Sequence, residues 1–238
     1  LVDHTLLLPR ILGHPSVASK EWVVRQYDHE VQGGTVLKPY QGEHGHGPGD
    51  GSVVKPRLDL PQGVAIGCGI YPRMAELDPY AATANAIDEA IRNTVAAGGN
   101  PHRTAIIDNF CWGDCRKPDR FGSMVLAAEA CRDAAIAYGT PFVSGKDSLN
   151  NEYRVHGEEK SIPPTLLCTA VSIVEDCERT VGTPLQKAGN HLVVVGITTN
   201  DGGGSVAADM FALEDSRVPR PCYETAPSVF VALHAAIT

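Results

Sequence analysis

The stretch Val143-Ser144-Gly145-Lys146-Asp147-Ser148 gathers a glycine, a cation, a carboxylate and a hydroxyl within four positions. That combination can touch a phosphate, its metal and a substrate hydroxyl together; a salt-bridged turn is the plainer alternative. Gly47-Pro48-Gly49-Asp50-Gly51-Ser52 is a second candidate. Its glycines let backbone N–H groups approach phosphate oxygens, and the aspartate could hold an accompanying cation. It carries no GK[ST] and is neither a Walker loop nor a dinucleotide fingerprint. Asp108 stands just past a strand expected at residues 104–107, where open sheets place ligand-binding groups, although turn aspartates are common there. Asn85, Glu89 and Asn93 recur every four residues and so share one helix face. A carboxylate and an amide oxygen one turn apart suit Mg²⁺; otherwise they form a solvated face.

Other chemistry finds little support. No Gly-x-Ser-x-Gly elbow occurs and no histidine sits in a recognisable nucleophile setting, so no catalytic residue is assigned. His44 and His46 read as loop histidines. Cys111 and Cys115 stand four apart without a second ligand pair. The seven cysteines form no paired CxxC units, which argues against a disulfide framework and favours a reducing cytoplasm. A net charge of −8 makes nucleic acid and anionic membranes poor partners. No apolar run approaches the roughly 20 residues of a membrane helix.

The elements that must position these residues alternate in type. Short strands are expected around Val53-Val54, Val64-Ala65-Ile66, residues 104–107, Pro141-Phe142-Val143 and residues 169–174. A helix opens at Asp78-Pro79 and stops at Gly98-Gly99, with Ile87, Ile91 and Val95 as its buried stripe. A second runs from about Phe121 to Tyr138, with Val125, Ala128, Cys131, Ala135 and Tyr138 inward and Gly139 ending it. Lys20 to Asp28 reads as a short helix and the glycine-rich residues 33–51 as a long loop. Leu192-Val193-Val194-Val195-Gly196-Ile197 reads as a fully buried strand before the glycine turn at Asp201-Gly202-Gly203-Gly204-Ser205. The fold class is α/β or α+β, with a domain boundary near residues 176–186.

In order, several stretches resemble phosphoribosylformylglycinamidine synthase. They are Val17-Ala18-Ser19-Lys20-Glu21-Trp22, Arg25-Gln26-Tyr27-Asp28-His29-Glu30-Val31-Gln32-Gly33, Leu77-Asp78-Pro79-Tyr80, Glu89-Ala90-Ile91-Arg92-Asn93, the stretch through Ser148-Leu149, and Ile162-Pro163-Pro164-Thr165. The resemblance runs over about residues 15–200. It implies two similar halves in the parent synthase, each like an aminoimidazole ribonucleotide synthetase. Residues 1–20 would end the preceding domain. Residues 21–180 would form the second half's N-terminal, ATP-binding domain, and 181–238 the beginning of its C-terminal α/β domain. The start at Leu1 and the stop at Ala235-Ala236-Ile237-Thr238 within a helical pattern fit a fragment.

The resemblance further implies conversion of formylglycinamide ribonucleotide to its amidine with ATP, Mg²⁺ and glutamine-derived ammonia. Asp108, Gly145 and Gly49 would contact ATP, and Ser148 the substrate. Asp50, Glu89 and Asn93 would hold Mg²⁺ at a second, structural nucleotide site, and Asp147 would take a metal. Partners would be the synthase's first half, a glutaminase and a small accessory subunit, and the isolated chain would be inactive. Asp50, Glu89 and Asp108 are expected to converge on one metal-neutralised triphosphate. Lys146 departs from the asparagine of many short-form members, and protonated lysine cannot ligate a metal. The Gly42–Gly49 loop is also longer and richer in histidine than the family's. Alternatives are a non-catalytic nucleotide-binding scaffold, or a selenophosphate or aminoimidazole ribonucleotide synthetase.

Overall fold

A computed structural model of the chain describes residues 4–27, 29–30, 32–211 and 217–238. Two short helices come first, α1 (His4–Leu12) and α2 (Glu21–Val24). The helix expected to reach Asp28 stops at Val24, since residues 25–27 form a turn and bend. Asp28 itself and Val31 lie outside the described residues. Strands β1 (Thr35–Leu37), β2 (Tyr40–Gln41), β3 (Gly47–Pro48), β4 (Gly51–Val54) and β5 (Gly63–Ile70) lead to helices α3 (Pro72–Leu77) and α4 (Pro79–Ala96). Then follow β6 (Thr104–Cys111), α5 (Pro118–Tyr138), β7 (Phe142–Ser148), β8 (Glu152–Val155), β9 (Glu158–Ser161) and β10 (Thr165–Val174), with α6 (Val206–Phe211) and α7 (Ala226–Ile237) last.

Six strands form one sheet in the order β1-β4-β5-β10-β6-β7. Every neighbouring pair is antiparallel except β6 and β7, which are parallel and joined by α5. The mixed α/β, α+β class expected from the sequence is the one observed.

Helix α4 begins where Asp78 and Pro79 dictate. The Ala81 N–H donates to Asp78 Oδ1 at 2.9 Å, and Gly98 ends the helix with φ +97°. Ile87, Ile91 and Val95 are at most 1% exposed and pack with Ile106, Cys168 and Ala170 of the sheet and Ala134 of α5. Each such burial contributes about 1.5–3 kcal/mol. The helix also presses its backbone onto β5. A Cβ on Gly67 would lie 2.7 Å from the Ala90 carbonyl, and one on Gly69 would collide with that of Ala86.

Helix α5 starts at Pro118 and ends at Gly139, whose φ is +63°. Its inward face differs from expectation. Ala127, Ala130, Cys131 and Ala134 are buried, whereas Val125 and Ala128 are exposed. Close packing on α4 selects the small side chains, so the helix is turned toward its alanine stripe. Between the helices, buried Asp88 accepts a hydrogen bond from the Tyr138 hydroxyl and pairs with Arg92. Tyr138 stacks on Phe230 of α7 with centroids 5.6 Å apart, which docks that helix on the α4–α5 seam.

Other expectations are corrected. Strand β6 runs on to Cys111 and β7 to Ser148, because their parallel pairing continues through the polar residues. Asp108 and Gly145 therefore lie within strands and not beyond them. Residues 40–48 form the β2–β3 hairpin, not an open loop. Leu192 and Val194 are 80% and 83% exposed, and residues 192–197 form no strand, since no described strand pairs with them. Gly69→Ala is expected to cost about 1–3 kcal/mol in urea unfolding, as an overpacked contact does. Gly122→Ala on α5, whose Cβ would meet nothing within 4 Å, should instead stabilise by about 0.5–1 kcal/mol.

Candidate functional site

Strand alternation sorts the candidate residues. In the β6–β7 pairing Asp108 is opposite Gly145 and Phe110 opposite Asp147, while Asn109 faces Lys146 and Cys111 faces Ser148. Asp108 also pairs with Cys168, which is buried under α4. Asp108, Gly145 and Asp147 thus share the helix-covered face of the sheet, and Lys146 and Ser148 share the other.

On the helix side, Gly145 is glycine because the Asp108 carboxylate lies over it. A Cβ there would be 2.6 Å from Asp108 Oδ2. Burial raises the Asp108 pKa above the ordinary 3.8, and the nearby Asp147 charge raises it further. Two carboxylates beside a bare glycine leave room and negative charge for a cation or a cation-bearing anion.

Asp50, Glu89 and Asn93 meet on the far flank of α4. The Ile70 N–H donates to Glu89 Oε2 at 3.1 Å, and Asn93 Nδ2 donates to the Cys68 carbonyl at 3.0 Å. These bonds to β5 pin Glu89 Oε2 and the Asn93 amide nitrogen, and the Tyr71 hydroxyl bonds the Glu89 carboxylate as well, which leaves the Asn93 amide oxygen to turn outward. Burial raises the Glu89 pKa above its ordinary value, and Asp50 is near enough to add to the shift. Asp50 and Asn93 line a cavity of about 110 Å³ with Gln41, Gly51 and Thr183. Two carboxylates and an amide oxygen fit Mg²⁺, which commonly keeps waters or phosphate oxygens as its other ligands. Among the described residues no group of three or more His, Cys, Asp or Glu could hold a metal ion by itself. Asn85 takes no part, since its Nδ2 donates to the Ala81 and Pro219 carbonyls.

The expected convergence of Asp50, Glu89 and Asp108 is not observed. Asp50 precedes β4 and Asp108 lies on β6, with β5 and β10 between them. Three strand spacings separate them by about 14 Å, and α4 lies over the gap. They belong to two sites. Gly49 is also differently engaged: its N–H donates to the Pro39 carbonyl at 2.9 Å, and its Cα abuts the Gln41 amide. The Gly49 N–H is therefore not free for a phosphate.

Gln41 was not singled out by the sequence. It is 8% exposed, accepts from the Thr183 N–H at 2.8 Å and donates to the Lys38 carbonyl at 3.1 Å, fastening the hairpin to residues 181–184. Glu152 was missed as well. Its Oε1 accepts from the Asp114 N–H and the Ser161 hydroxyl at 2.7 and 2.6 Å, bracing the loop before α5. Neither carries a motif; only tertiary contact reveals them.

The fold and the sorted sites define a recognisable class. Residues 49–174 match the family described as AIR synthase related protein, N-terminal domain, and the chain belongs to that family. Within it, the chain is similar to phosphoribosylformylglycinamidine synthase subunit PurL. It is 33% identical over 231 residues to PurL of Methanocaldococcus jannaschii, covering 96% of this chain and 30% of the relative. It is 37% identical to that of Ignicoccus hospitalis, covering 86% and 27%. The chain thus spans under a third of these relatives' length. A solved PurLQS structure from Thermotoga maritima superimposes with TM-score 0.58 at 26% identity, over 71% of this chain and 25% of that one. Thermotoga maritima PurL complexed with AMPPCP and with FGAR gives TM-scores of 0.55 and 0.53 at 26% identity, each over 70% of this chain and over 26% and 24% of those chains.

The raised Asp108 pKa has a sign that can be measured. The folded state holds the proton more tightly, so ionised Asp108 opposes folding once the pH climbs above about 3.8 toward the folded-state value. Asp108→Asn is expected to raise the melting temperature at pH 7 by on the order of 1 °C. The gain should disappear below the ordinary Asp range; an equal gain at both pH values would contradict this cause.

Proposed function

We propose that this chain is part of an ATP-dependent C–N ligase of purine biosynthesis. The enzyme converts formylglycinamide ribonucleotide to formylglycinamidine ribonucleotide with glutamine-derived ammonia. The observation that carries the reading is the agreement between 33–37% identity to PurL relatives and a β6–β7 pair that juxtaposes Asp108 with Gly145 beside Ser148. The Thermotoga maritima PurL complexes with AMPPCP and FGAR support both ligand classes.

β7 is an edge strand, so a ligand lying along its free edge reaches Gly145 from one side and Ser148 from the other. In this reading ATP sits against Asp108 and Gly145, and the Ser148 hydroxyl orients the ribotide. Phosphorylation of the substrate amide oxygen turns it into a leaving group for ammonia, and the chain's task is positioning and charge stabilisation. Mg²⁺, when bound, neutralises phosphate charge; Asp147 would hold it beside Asp108. Asp50, Glu89 and Asn93 would hold another at a structural nucleotide site. The bonds of Glu89 and Asn93 to the β5 backbone favour that structural role.

The uncovered face of the sheet favours the synthase's first half as a partner. Ile66 and Ile70 of β5 and Leu167, Val171 and Ile173 of β10 project from it, and α4, α5 and α7 pack on the opposite face. A glutaminase and a small accessory subunit complete the assembly, in the cytoplasm. No described helix is long and apolar enough to cross a membrane. The division into residues 1–20, 21–180 and 181–238 belongs to the same proposal.

The chain alone is expected to make no amidine from ATP, formylglycinamide ribonucleotide and ammonia. In the synthase carrying it, Asp108→Asn should lower kcat/KM by about 100-fold or more without lowering the melting temperature. Turnover by the chain alone would contradict the composite site. A folded Asp108→Asn enzyme at full activity would favour the scaffold reading instead.

A further inference from the structure

The outward face of β7 presents Ser144, Lys146 and Ser148 in a line, two residues apart, because alternate strand residues share a face. Lys146 completes a row across the sheet with Asn109 of β6, Leu167 of β10 and Ile70 of β5. Its neighbours on this face are otherwise apolar or neutral: Ser52 and Val54, Val64 to Ile70 on alternate positions, Ala105 to Cys111, and Thr165 to Ile173. Lys146 is the one charged side chain among these outward positions. Among the described residues it makes no ion pair, and the Ser144 and Ser148 hydroxyls have no protein hydrogen-bond partner.

An ammonium flanked by two hydroxyls and a side-chain amide has no carboxylate beside it on this face, and each of these groups can donate to an anion. Asp147 and Asp108 do not serve, since both lie on the opposite face. A lone cation on an apolar face requires an anion when that face is covered. Phosphate, with three acceptor oxygens, can bond ammonium and hydroxyls together. The chain's net charge of −8 otherwise repels such a group, so a local cation must hold it.

We infer that Lys146, with Ser144, Ser148 and Asn109, forms a phosphate-binding site on the outer face of β7. The phosphate belongs to ATP or to the ribotide. That choice of owners rests on the synthase reading above; the anion site does not. Lys146 here supplies, as an ammonium, the charge neutralisation that a metal ion supplies elsewhere.

The test is calorimetric binding of ATP, of formylglycinamide ribonucleotide and of inorganic pyrophosphate to the synthase carrying this chain, comparing wild type, Lys146→Met and Lys146→Arg. Lys146→Met should lose about tenfold or more in affinity for pyrophosphate and for the ligand whose phosphate sits there. Lys146→Arg should retain most of it, and thermal melting should be unchanged. Loss with ATP only or with ribotide only names the owner. Loss with pyrophosphate in a wild type that binds neither ATP nor ribotide upholds the anion site and removes the synthase reading. Lys146→Met binding all three as wild type overturns the site, as does a wild type that binds none. Unchanged binding with impaired assembly of the halves also overturns it, assigning the counterion to a protein carboxylate.

Discussion

The seating of α4 on β5 is the contact on which the rest of the molecule depends. Gly67 and Gly69 remove the side chains that would hold helix and strand at ordinary distance, so the Ala86 and Ala90 carbonyls come down onto the sheet. From that position Ile87, Ile91 and Val95 reach the core, while Glu89 and Asn93 bond the edge of the β5 backbone. Asp88 is left between α4 and α5, where Tyr138 and Arg92 satisfy it. Burial first and the Asp88 charge second push the Tyr138 hydroxyl pKa up, which keeps it a proton donor to that carboxylate. One helix thus fixes the core, one candidate metal site and the docking of α7.

The same contact decides which face of the sheet is inner. Once α4 and α5 cover one side, strand alternation assigns every residue of β5, β6, β7 and β10 to a face. The carboxylates Asp108 and Asp147 go to the helix side, where Asp108 is half-buried and its pKa is raised by burial while Asp147, on the edge strand, stays exposed. The donors Lys146 and Ser148 go outward. Negative and positive chemistry are therefore separated by one sheet thickness at an edge strand. An edge strand is the place where a single ligand can reach both.

Much of this was legible in the sequence, for local reasons. Asp78-Pro79 starts α4 through a side-chain cap, and Gly139 ends α5 because it tolerates positive φ. The period-four stripe of α4 named its core face correctly. Elements set by distant contacts were not legible. The polar run Ser144 to Ser148 breaks a strand pattern, yet parallel pairing with β6 keeps it extended. The inward face of α5 was misjudged because Val125 is more apolar than Ala127, whereas close helix packing prefers the smaller residue. The apolar run at 192–197 has a strand's composition, but a strand forms only with a neighbour. Of the candidate site residues, Glu89 and Asn93 are neighbours as their helical spacing suggested, whereas Asp108 and Gly145 are brought together by the parallel β6–β7 pairing. The separation of Asp50 from Asp108 could not be read without strand order. Reading residues 142–148 with period two would have set Lys146 beside Ser148 and apart from Asp147.

The most direct measurement is a crystal structure of the synthase carrying this chain, with a non-hydrolysable ATP analogue and the ribotide bound. The account expects a phosphate group of one ligand within hydrogen-bonding distance of Lys146 Nζ, on the sheet face opposite Asp108. Phosphates of both ligands lying only on the helix side, with Lys146 directed into bulk water, would contradict it.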